Sequence, residues 1–397
     1  ATQRGKQGLP PRLATLARFA NPAAVSALYA LTGTDATMAH AVPQPDGGAV
    51  NGEQALRLQT LNMVKRVQQQ TGVAYAELNM RVTAHATPND QFYGSQWHYP
   101  AINLPLAWDT TTGANDVIVA VVDTGVLLAH PDLDERLVPG YDFISNADRA
   151  RDGDGIDPNP NDEGDLQYGG SSSFHGTHVA GTVGAETNNG GGSAGATWQT
   201  RIMPLRALGK DGGSTFDIVQ AVRYAAGLPN SSGLLPSQRA DIINLSVGTT
   251  FSSQSEQDTY LEAYQAGVIV IASAGNDASN APSYPAAYQG VVSVAATTIT
   301  NERASYSNFG RQVDVAAPGG STLTDLNGDG IGDGVISTSG DDSGPAVEFG
   351  YATLAGTSMA APHVTGVSAL MKAVYPQLTP AQFDAALAAG DLTDDLG

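Results

Sequence analysis

The chain has 397 residues, which is enough for one large domain or two ordinary ones with a sizeable buried core. Its 19 Lys and Arg against 39 Asp and Glu give a net charge of −20, which argues against nucleic acid and anionic membrane partners and favours a basic substrate or a metal ion. The absence of cysteine excludes disulfides, thiolate metal sites and cysteine nucleophiles.

The first part of the chain differs in pattern from the rest. Helices are predicted over residues 11–32 and 54–72, the second with Leu and Val side chains along one apolar face. A Pro- and Gly-rich stretch separates them, and a short strand, AYAELNMRV, is predicted after Val73. No apolar run in the chain approaches the roughly 18 residues that span a bilayer. We expect a domain boundary near residue 85.

From Asp116 onward, apolar and often β-branched runs alternate with helical patterns. The runs are DVIVAVVD, RIMPLRALG, DIINLSVG, VIVIASAGN and VVSVAATT. This alternation predicts an α/β fold with a doubly wound, mostly parallel sheet and helices on both faces. In such sheets the polar residues that end strands gather at one edge and form active sites. The helices are predicted at 176–185, 215–227, 256–266, 358–374 and 379–389.

Three polar residues occupy positions suited to nucleophilic catalysis. Asp123 ends the run VIVAVVD, His175 opens HGTHVAG, and Ser358 lies at the head of a long apolar helix. A serine hydroxyl needs a base to take its proton, and that base needs a third group to hold it, in an order such as Asp, His, Ser. Ser358 alone could equally be an ordinary helix-start serine. His178 is expected to be packed rather than a zinc ligand, since no third ligand is evident.

The segments around these residues carry a family resemblance. VVDTGV, HGTHVAG, SAGN and GTSMAAPHV occur in this order across residues 121–364 and resemble the signatures of subtilases, the subtilisin-like serine proteases. The resemblance covers nearly all of residues 86–397. It implies that the three polar residues are a catalytic triad. It also implies that the Asn276 side chain and the Ser358 backbone amide stabilise the oxyanion.

The resemblance extends to substrate binding. In the family an extended peptide adds between two segments of the enzyme, and backbone pairing gives little sequence preference. The small residues along the primary pocket suggest a broad preference for medium or large apolar side chains at P1, the residue whose carbonyl is attacked. The implied residues are Gly212, Gly213 and Ser214, then Ser246, Val247 and Gly248, and, along the pocket, Ser273, Ala274 and Gly275.

Two acidic loops, 148–165 and 325–333, hold much of the negative charge. Carboxylates this crowded repel one another unless a hard divalent cation binds them through oxygen, and the second loop resembles the first half of a calcium loop. Calcium-bound loops are common in subtilases, so structural calcium is expected, with plain solvated turns as the alternative. The candidate ligands are Asp152, Asp154, Asp157, Asp162 and Asp165 in the first loop, and Asp325, Asn327, Asp329 and Asp333 in the second.

Residues 54–83 resemble the closing helix and strand of a subtilase propeptide, which chaperones folding and inhibits the enzyme. The expected domains are therefore a small α+β propeptide at 1–85 and a catalytic domain at 86–397. Autocleavage is expected between Arg81 and Thr87. The family usually has more sequence at the carboxyl end, so we expect that end to be incomplete.

Taken together, the sequence predicts a secreted, calcium-stabilised serine endopeptidase that acts as a monomer on proteins and peptides, with no export signal in this chain. It is expected to bind neither nucleic acid nor membrane. Two alternatives remain open. One is a catalytically silent binding protein on the same scaffold, and the other is a peptide ligase.

Overall fold

The protein is described here by a computed structural model. It covers residues 86–166 and 172–394, together with two strands and part of a helix nearer the amino terminus. The chain divides into two compact units, Ala1–Ala84 and His85–Gly397.

The first unit contains two strands where a helix was predicted. Strands β1 (Leu13–Asn21) and β2 (Ala24–Leu31) pair antiparallel, so the predicted helix over 11–32 is wrong. The segment is rich in Ala and Leu, which favours a helix. Pro22, however, has no N–H and disfavours helical backbone at the residue before it, so the Asn-Pro pair disfavours a continuous helix through this segment.

The predicted helix over 54–72 is helical at each of its described residues except Gln69, namely at 62, 64–66 and 68. The rest of that helix lies outside the described residues. So do the strand predicted after Val73 and most of the expected cleavage segment.

The second unit contains eleven strands and eight α-helices among its described residues, with a 3-10 turn at Tyr93–Ser95. The strands are β3 (Ile118–Asp123), β4 (Tyr141–Asp142), β5 (Arg201–Arg206), β6 (Leu208–Gly209), β7 (Gly212–Gly213), β8 (Ile242–Leu245), β9 (Ile269–Ser273), β10 (Val291–Thr297), β11 (Val315–Pro318), β12 (Val335–Asp341) and β13 (Glu348–Leu354). The helices are α1 (His98–Ala101), α2 (Leu104–Trp108), α3 (Ala147–Ala150), α4 (His175–Gly184), α5 (Thr215–Ala225), α6 (Gln254–Gln265), α7 (Thr357–Val374) and α8 (Pro380–Ala389).

A seven-stranded sheet forms the centre of this unit, in the order β11-β10-β9-β8-β3-β5-β4, and its neighbouring strands are parallel. Along β3 the side chains alternate between two cores. Val119 and Val121 pack in the core that contains residues of α4 and α7, whereas Ala120 and Val122 pack in the core that contains residues of α5 and α6. Burial on both faces explains the continuous apolar runs, and the predicted doubly wound α/β fold is confirmed.

The predicted helices from residue 176 onward match α4 to α8 to within two residues at each end. The hairpin of β12 and β13 was not predicted, because its strands, VISTSGD and EFGYATL, mix polar with apolar residues. His178 of α4 contacts this hairpin: its Nε2 donates to the carbonyls of Val335 (3.1 Å) and Ala352 (3.0 Å). In the part of the chain that the structure describes, no helix is both long and apolar enough for a membrane span.

Candidate active site

Asp123 and His175 meet at the carboxyl edge of the sheet. Asp123 is the last residue of β3, which lies between β5 and β8, and its side chain is fully buried. Its Oδ1 accepts hydrogen bonds from His175 Nδ1 (2.8 Å) and from the backbone N–H of Thr124 (2.8 Å). A carboxylate can only accept, so Nδ1 carries the proton of the neutral imidazole. His175 Nε2 is therefore the nitrogen that can act as a base.

The start of α4 brings His175 to the strand end. Phe174, just before it, has left-handed backbone (φ 44°), and Gly176 follows it. A β-carbon on Gly176 would lie 2.2 Å from the Gly125 carbonyl oxygen and 3.0 Å from Asp123 Cβ, so only glycine permits this approach. The Gly176 N–H donates to the Thr124 hydroxyl (2.9 Å), which fixes the first turn of the helix against the strand end.

Charge at the site favours the protonated form of His175. Burial alone lowers the pKa of the imidazole. The charge and hydrogen bond of Asp123 raise it, as do the charges of Asp165 and Asp162, and the net effect is a pKa above its ordinary value. The side chain stays 22% exposed, so it is accessible to a substrate.

Ser358 is the second residue of α7 and faces the end of β8. Its hydroxyl donates to the carbonyl of Ser246 (3.4 Å), and its own carbonyl accepts from the Ser246 hydroxyl (2.8 Å). That carbonyl would ordinarily bond the N–H four residues later, but Pro362 has none. The Ser246 hydroxyl also accepts from Asn244 Nδ2 (3.0 Å), which anchors the nucleophile candidate to the sheet.

His175 and Ser358 are not hydrogen-bonded to each other in the described part of the chain. They line two adjoining cavities that share the segment 246–249. Catalytic hydrogen bonds are often long before substrate binds, so this geometry is compatible with a base and its nucleophile.

The side chain of Asn276 is fixed in one orientation. Its Oδ1 accepts from both the backbone N–H and the hydroxyl of Thr357 (2.9 Å each). A backbone N–H can only donate, so the oxygen faces Thr357 and Nδ2 remains a donor elsewhere. A β-carbon on Gly356 would lie 3.6 Å from both Asn276 Nδ2 and Ser358 N. Both nitrogens therefore lie next to the same position beside Gly356.

Two cavities flank the segment 246–249. The Ser358 cavity, about 340 Å³, is the one that Ser358 and Asn276 line, and the His175 cavity, about 510 Å³, is the one that His175 lines. Of the predicted substrate residues, Ser246, Val247 and Gly248 line both, Ser273 and Gly275 line the first, and Gly212 and Gly213 line the second.

Two predicted substrate residues serve other contacts in the structure. Ser214 caps α5, where its hydroxyl accepts from Asp217 N (3.1 Å). Ala274 is buried, and its N–H donates to the Val294 carbonyl (2.9 Å). Neither lines the two cavities.

The structure separates the five candidate ligands of the first acidic loop. Carboxylate oxygens of Asp152 and Asp157 lie within 4.8 Å of each other and of Asp142, which was not predicted. Arg206 Nη1 contacts Asp142 (2.6 Å) and Asp152 (2.9 Å) and already neutralises part of the cluster. Desolvation raises the pKa of Asp142 to about 7, although Arg206 opposes the shift. This cluster fits calcium poorly, because a guanidinium holds two of its oxygens.

The other candidates of the first loop lie apart from that cluster or at its edge. Asp162 is buried and accepts from the Thr124 hydroxyl (2.5 Å) and Gly164 N (2.9 Å). Asp165 accepts from the N–H (2.7 Å) and hydroxyl (2.6 Å) of Ser173. Desolvation raises the pKa of Asp157, and the charge of the nearby Asp154 raises it further by a smaller amount. Asp162 and Asp165 thus support the loop beside Asp123 and His175.

In the second acidic loop no three carboxylates lie within 4.8 Å of one another among the described residues, but one of them has a buried oxygen without a partner. Asp325 accepts from Gly328 N (2.8 Å) and Gly330 N (3.1 Å), so the loop is wound around its first carboxylate. Asn327 and Asp329 each accept from the N–H two residues on. Asp333 is 1% exposed, and its Oδ1 has no hydrogen-bond partner among the described residues. A buried carboxylate oxygen without a partner is a donor atom that calcium would satisfy.

Sequence reasoning missed several supporting residues. Thr357, which orients Asn276, stands inside the GTSMAAPHV segment and could have been found there. Asn244 lies in a run that otherwise reads as apolar strand, where a polar residue was a usable signal. Asp142 joins the acidic cluster only through the short strand β4, which no pattern predicted.

Comparison with known proteins gives consistent matches. The sequence profile described as the subtilase family matches residues 114–390. An extracellular protease from Xanthomonas campestris is 40% identical over 396 residues, covering 92% of this chain and 66% of that protein. An extracellular basic protease from Dichelobacter nodosus is 38% identical over 333 residues, covering 78% of this chain and 53% of that protein.

A solved structure is also similar. A chain from a study of proteases from Pseudoalteromonas arctica aligns with a TM-score of 0.72 at 42% identity, covering 77% of this chain and 92% of that chain. The present chain thus spans between about half and two thirds of the two curated relatives above.

Proposed function

Because the chain belongs to the subtilase family, we propose that it is a secreted serine endopeptidase that hydrolyses peptide bonds in proteins. The observation that supports this most is the direction of the hydrogen bond between His175 and Asp123, in which Nδ1 donates and the carboxylate accepts. The carboxylate accepts the Nδ1 proton, so Nε2 is left as a base in the cavity that adjoins the one that Ser358 lines.

The proposed reaction uses four residues. His175 Nε2 takes the proton of the Ser358 hydroxyl as its oxygen attacks the scissile carbonyl, and Asp123 stabilises the imidazolium that forms. Asn276 Nδ2 and the Ser358 N–H donate to the oxyanion of the tetrahedral intermediate. His175 then gives its proton to the leaving amine. Water hydrolyses the acyl-enzyme by the same proton transfers in reverse.

The proposed substrate groove follows the exposed strand β7 and the segment 246–248. An extended peptide pairs its backbone with both and places its P1 side chain in the Ser358 cavity. Small residues such as Ser273 and Gly275 line that cavity, which supports a broad preference for apolar P1 side chains.

We also propose structural calcium, held by Asp325, Asn327, Asp329 and Asp333 of the second loop. Asp152, Asp154 and Asp157, joined by Asp142, form a weaker candidate site because Arg206 occupies part of it. Bound calcium would tie each loop to the body of the enzyme, in a chain without disulfides.

Residues 1–85 are proposed to act as a propeptide that assists folding and inhibits the monomeric enzyme until it is cleaved between Arg81 and Thr87. Amino-terminal sequencing of the secreted, active form tests this directly. A first residue within that interval agrees with the proposal, and activity with an intact amino terminus contradicts it.

Proteolysis by purified enzyme tests the proposed function. Wild type should cleave unfolded casein, Ser358→Ala should not, and Ser368→Ala, ten residues later on the same helix, should cleave normally. Equal cleavage by Ser358→Ala would contradict the proposal. Adding an amine nucleophile distinguishes hydrolysis from ligation, because a ligase would give mainly the amide product.

A further inference from the structure

The His175 cavity has a charge pattern that the reaction itself does not require. Three residues with titratable acidic or basic side chains line it near the peptide groove, namely Asp165, His175 and Glu256. Of the described residues that line it, none is Lys or Arg. Its apolar surface comes from side chains such as Leu208 and Ile218. The cavity thus combines apolar walls with carboxylates and no permanent cation.

Glu256 is the third residue of α6 and is 4% exposed. Its Oε2 accepts from the Tyr288 hydroxyl (2.8 Å), while Oε1 accepts no hydrogen bond from any described residue. Desolvation raises its pKa, and the Tyr288 bond opposes that shift. Oε1 is not one of the fully enclosed polar atoms, so a donor in the cavity can reach it.

A second buried group points to the same ligand chemistry. Tyr260, one turn further along α6, also lines the cavity and is fully buried. Its hydroxyl has no hydrogen-bond partner in the described part of the chain. A phenol oxygen and a carboxylate oxygen can both accept from the N–H groups of a guanidinium or ammonium.

We propose that Glu256 is a specificity-determining residue, and that the His175 cavity takes a cationic side chain, Arg or Lys, at P2 or P4 of the substrate. Successive side chains of an extended peptide point to opposite sides. With P1 in the Ser358 cavity on one side of the segment 246–249, the even-numbered positions face the other cavity. The methylenes of Arg or Lys pack on the apolar walls, and the charged end reaches Glu256.

The net charge of −20 attracts cationic peptides to the whole protein, but only a local carboxylate discriminates between positions along the peptide. The inference rests on the proposed function, because it concerns which substrate side chains that same groove prefers.

Tetrapeptide amide substrates with Leu at P1 test the proposal. Arg, citrulline or norleucine is placed in turn at P2, P3 and P4 against an Ala background, and kcat/KM is measured. Citrulline has nearly the shape of Arg without its charge. Wild type should favour Arg over citrulline at least tenfold at P2 or P4 and not at P3. Glu256→Gln should reduce that ratio to below about twofold.

Glu262→Gln is the matched control, because Glu262 lies on the same helix but pairs with Arg223 at the surface. It should keep the wild-type ratio. Equal rates for Arg and citrulline in wild type, a preference confined to P3, or a preference that survives Glu256→Gln would each overturn the proposal. The wild-type comparison needs no variant to fold. Cleavage of the norleucine substrates reports the proposed protease function separately, so failure of one claim is distinguishable from failure of the other.

Discussion

Ser246 and Ser358 are joined by two hydrogen bonds of opposite direction: each hydroxyl donates to the carbonyl of the other residue, at 2.8 Å from Ser246 and 3.4 Å from Ser358. The shorter bond exists because Pro362 leaves the Ser358 carbonyl without its helical partner. The segment 246–249 thus holds the candidate nucleophile and also lines both cavities. The same segment therefore positions Ser358 and contributes to the proposed substrate groove.

Ser246→Ala should weaken both stability and turnover. The change leaves the partly buried Ser358 carbonyl and the buried side-chain amide of Asn244 with one partner fewer, which costs about 1–3 kcal/mol of unfolding free energy. It also frees the start of α7, so kcat should fall roughly tenfold or more. Urea unfolding and steady-state kinetics measure the two effects. A variant with unchanged kcat would show that the shorter bond does not position Ser358.

Asn276→Ala should lower kcat far more than it changes KM. The carboxamide would act mainly on the charge of the tetrahedral intermediate, and loss of one such donor in subtilisin reduces turnover by roughly 10²–10³. Thr357→Val tests the orientation of the amide separately, since it removes one donor to Asn276 Oδ1 and keeps Nδ2. Its effect should be smaller. Comparable losses of kcat and of substrate affinity in Asn276→Ala would contradict the oxyanion role.

Activity should rise with pH as His175 loses its proton. Asp123 raises the pKa of this imidazole, so the midpoint of kcat/KM against pH should lie above the ordinary value of about 6.5. Asp123→Asn removes the charge that raises it, so the midpoint should move to lower pH. The rate should fall by about 10⁴, as in other triads. A wild-type profile that is flat between about pH 5 and 8 would exclude His175 as the base.

Calcium removal should lower the melting temperature. A cation bound only to the folded state at 100 times its Kd contributes about 2.7 kcal/mol, which EDTA would remove. Asp333→Asn should abolish much of the EDTA-sensitive shift, because it replaces the buried oxygen without a partner. Asp258→Asn, at the surface of α6, is the control. An identical melting temperature with and without EDTA would refute both calcium sites.

A buried histidine pair should destabilise the enzyme in acid. Burial lowers the pKa of both His98 and His363 and favours neutral rings, so His363 Nδ1 donates to the Met359 carbonyl (2.7 Å) and its Nε2 accepts from His98 Nδ1 (2.8 Å). Burial lowers the pKa of His363 to about 4. The unfolded chain then binds more protons between about pH 6.5 and 4, and stability is lost as pH falls through that range, by roughly 3 kcal/mol.

His363→Gln removes that titration, so the difference in unfolding free energy between wild type and variant should change with pH across this window. Comparing the two proteins cancels the opposite effect of Asp162, whose raised pKa of about 7 reduces stability as pH rises. A difference that stays constant from pH 7 to about 4 would contradict the assignment.

The site residues could be predicted where they lie in a recognisable local segment or at the end of an apolar run. Asp123 ends a continuous apolar run, and such a run in a parallel sheet places its last residue at the active edge. The short segments around His175, Asn276 and Ser358 are constrained by close backbone approach, as at Gly176, so they keep a recognisable form. Five of the seven strands of the sheet, β3, β5, β8, β9 and β10, lie in the predicted apolar runs, and α4 to α8 match the predicted helices.

What was not predictable depends on distant parts of the chain. Glu256 and Gly212 line one cavity because residues of α4, α5 and α6 and of the short strands β6 and β7 converge there, and no local pattern encodes that. Asp162, grouped with its neighbours by spacing, instead bonds Thr124 at the end of another strand. The helix predicted over 11–32 was wrong because Asn21-Pro22 in its middle disfavours helical backbone, although the Ala and Leu content favours it.

The most direct test of the whole account is the site of covalent reaction. A fluorophosphonate should label the active protein once, and peptide mapping by mass spectrometry should place the adduct on Ser358, with labelling at least 10³-fold slower in His175→Ala. Labelling at another serine, or an adduct that forms equally fast without His175, would contradict the assignment of nucleophile and base.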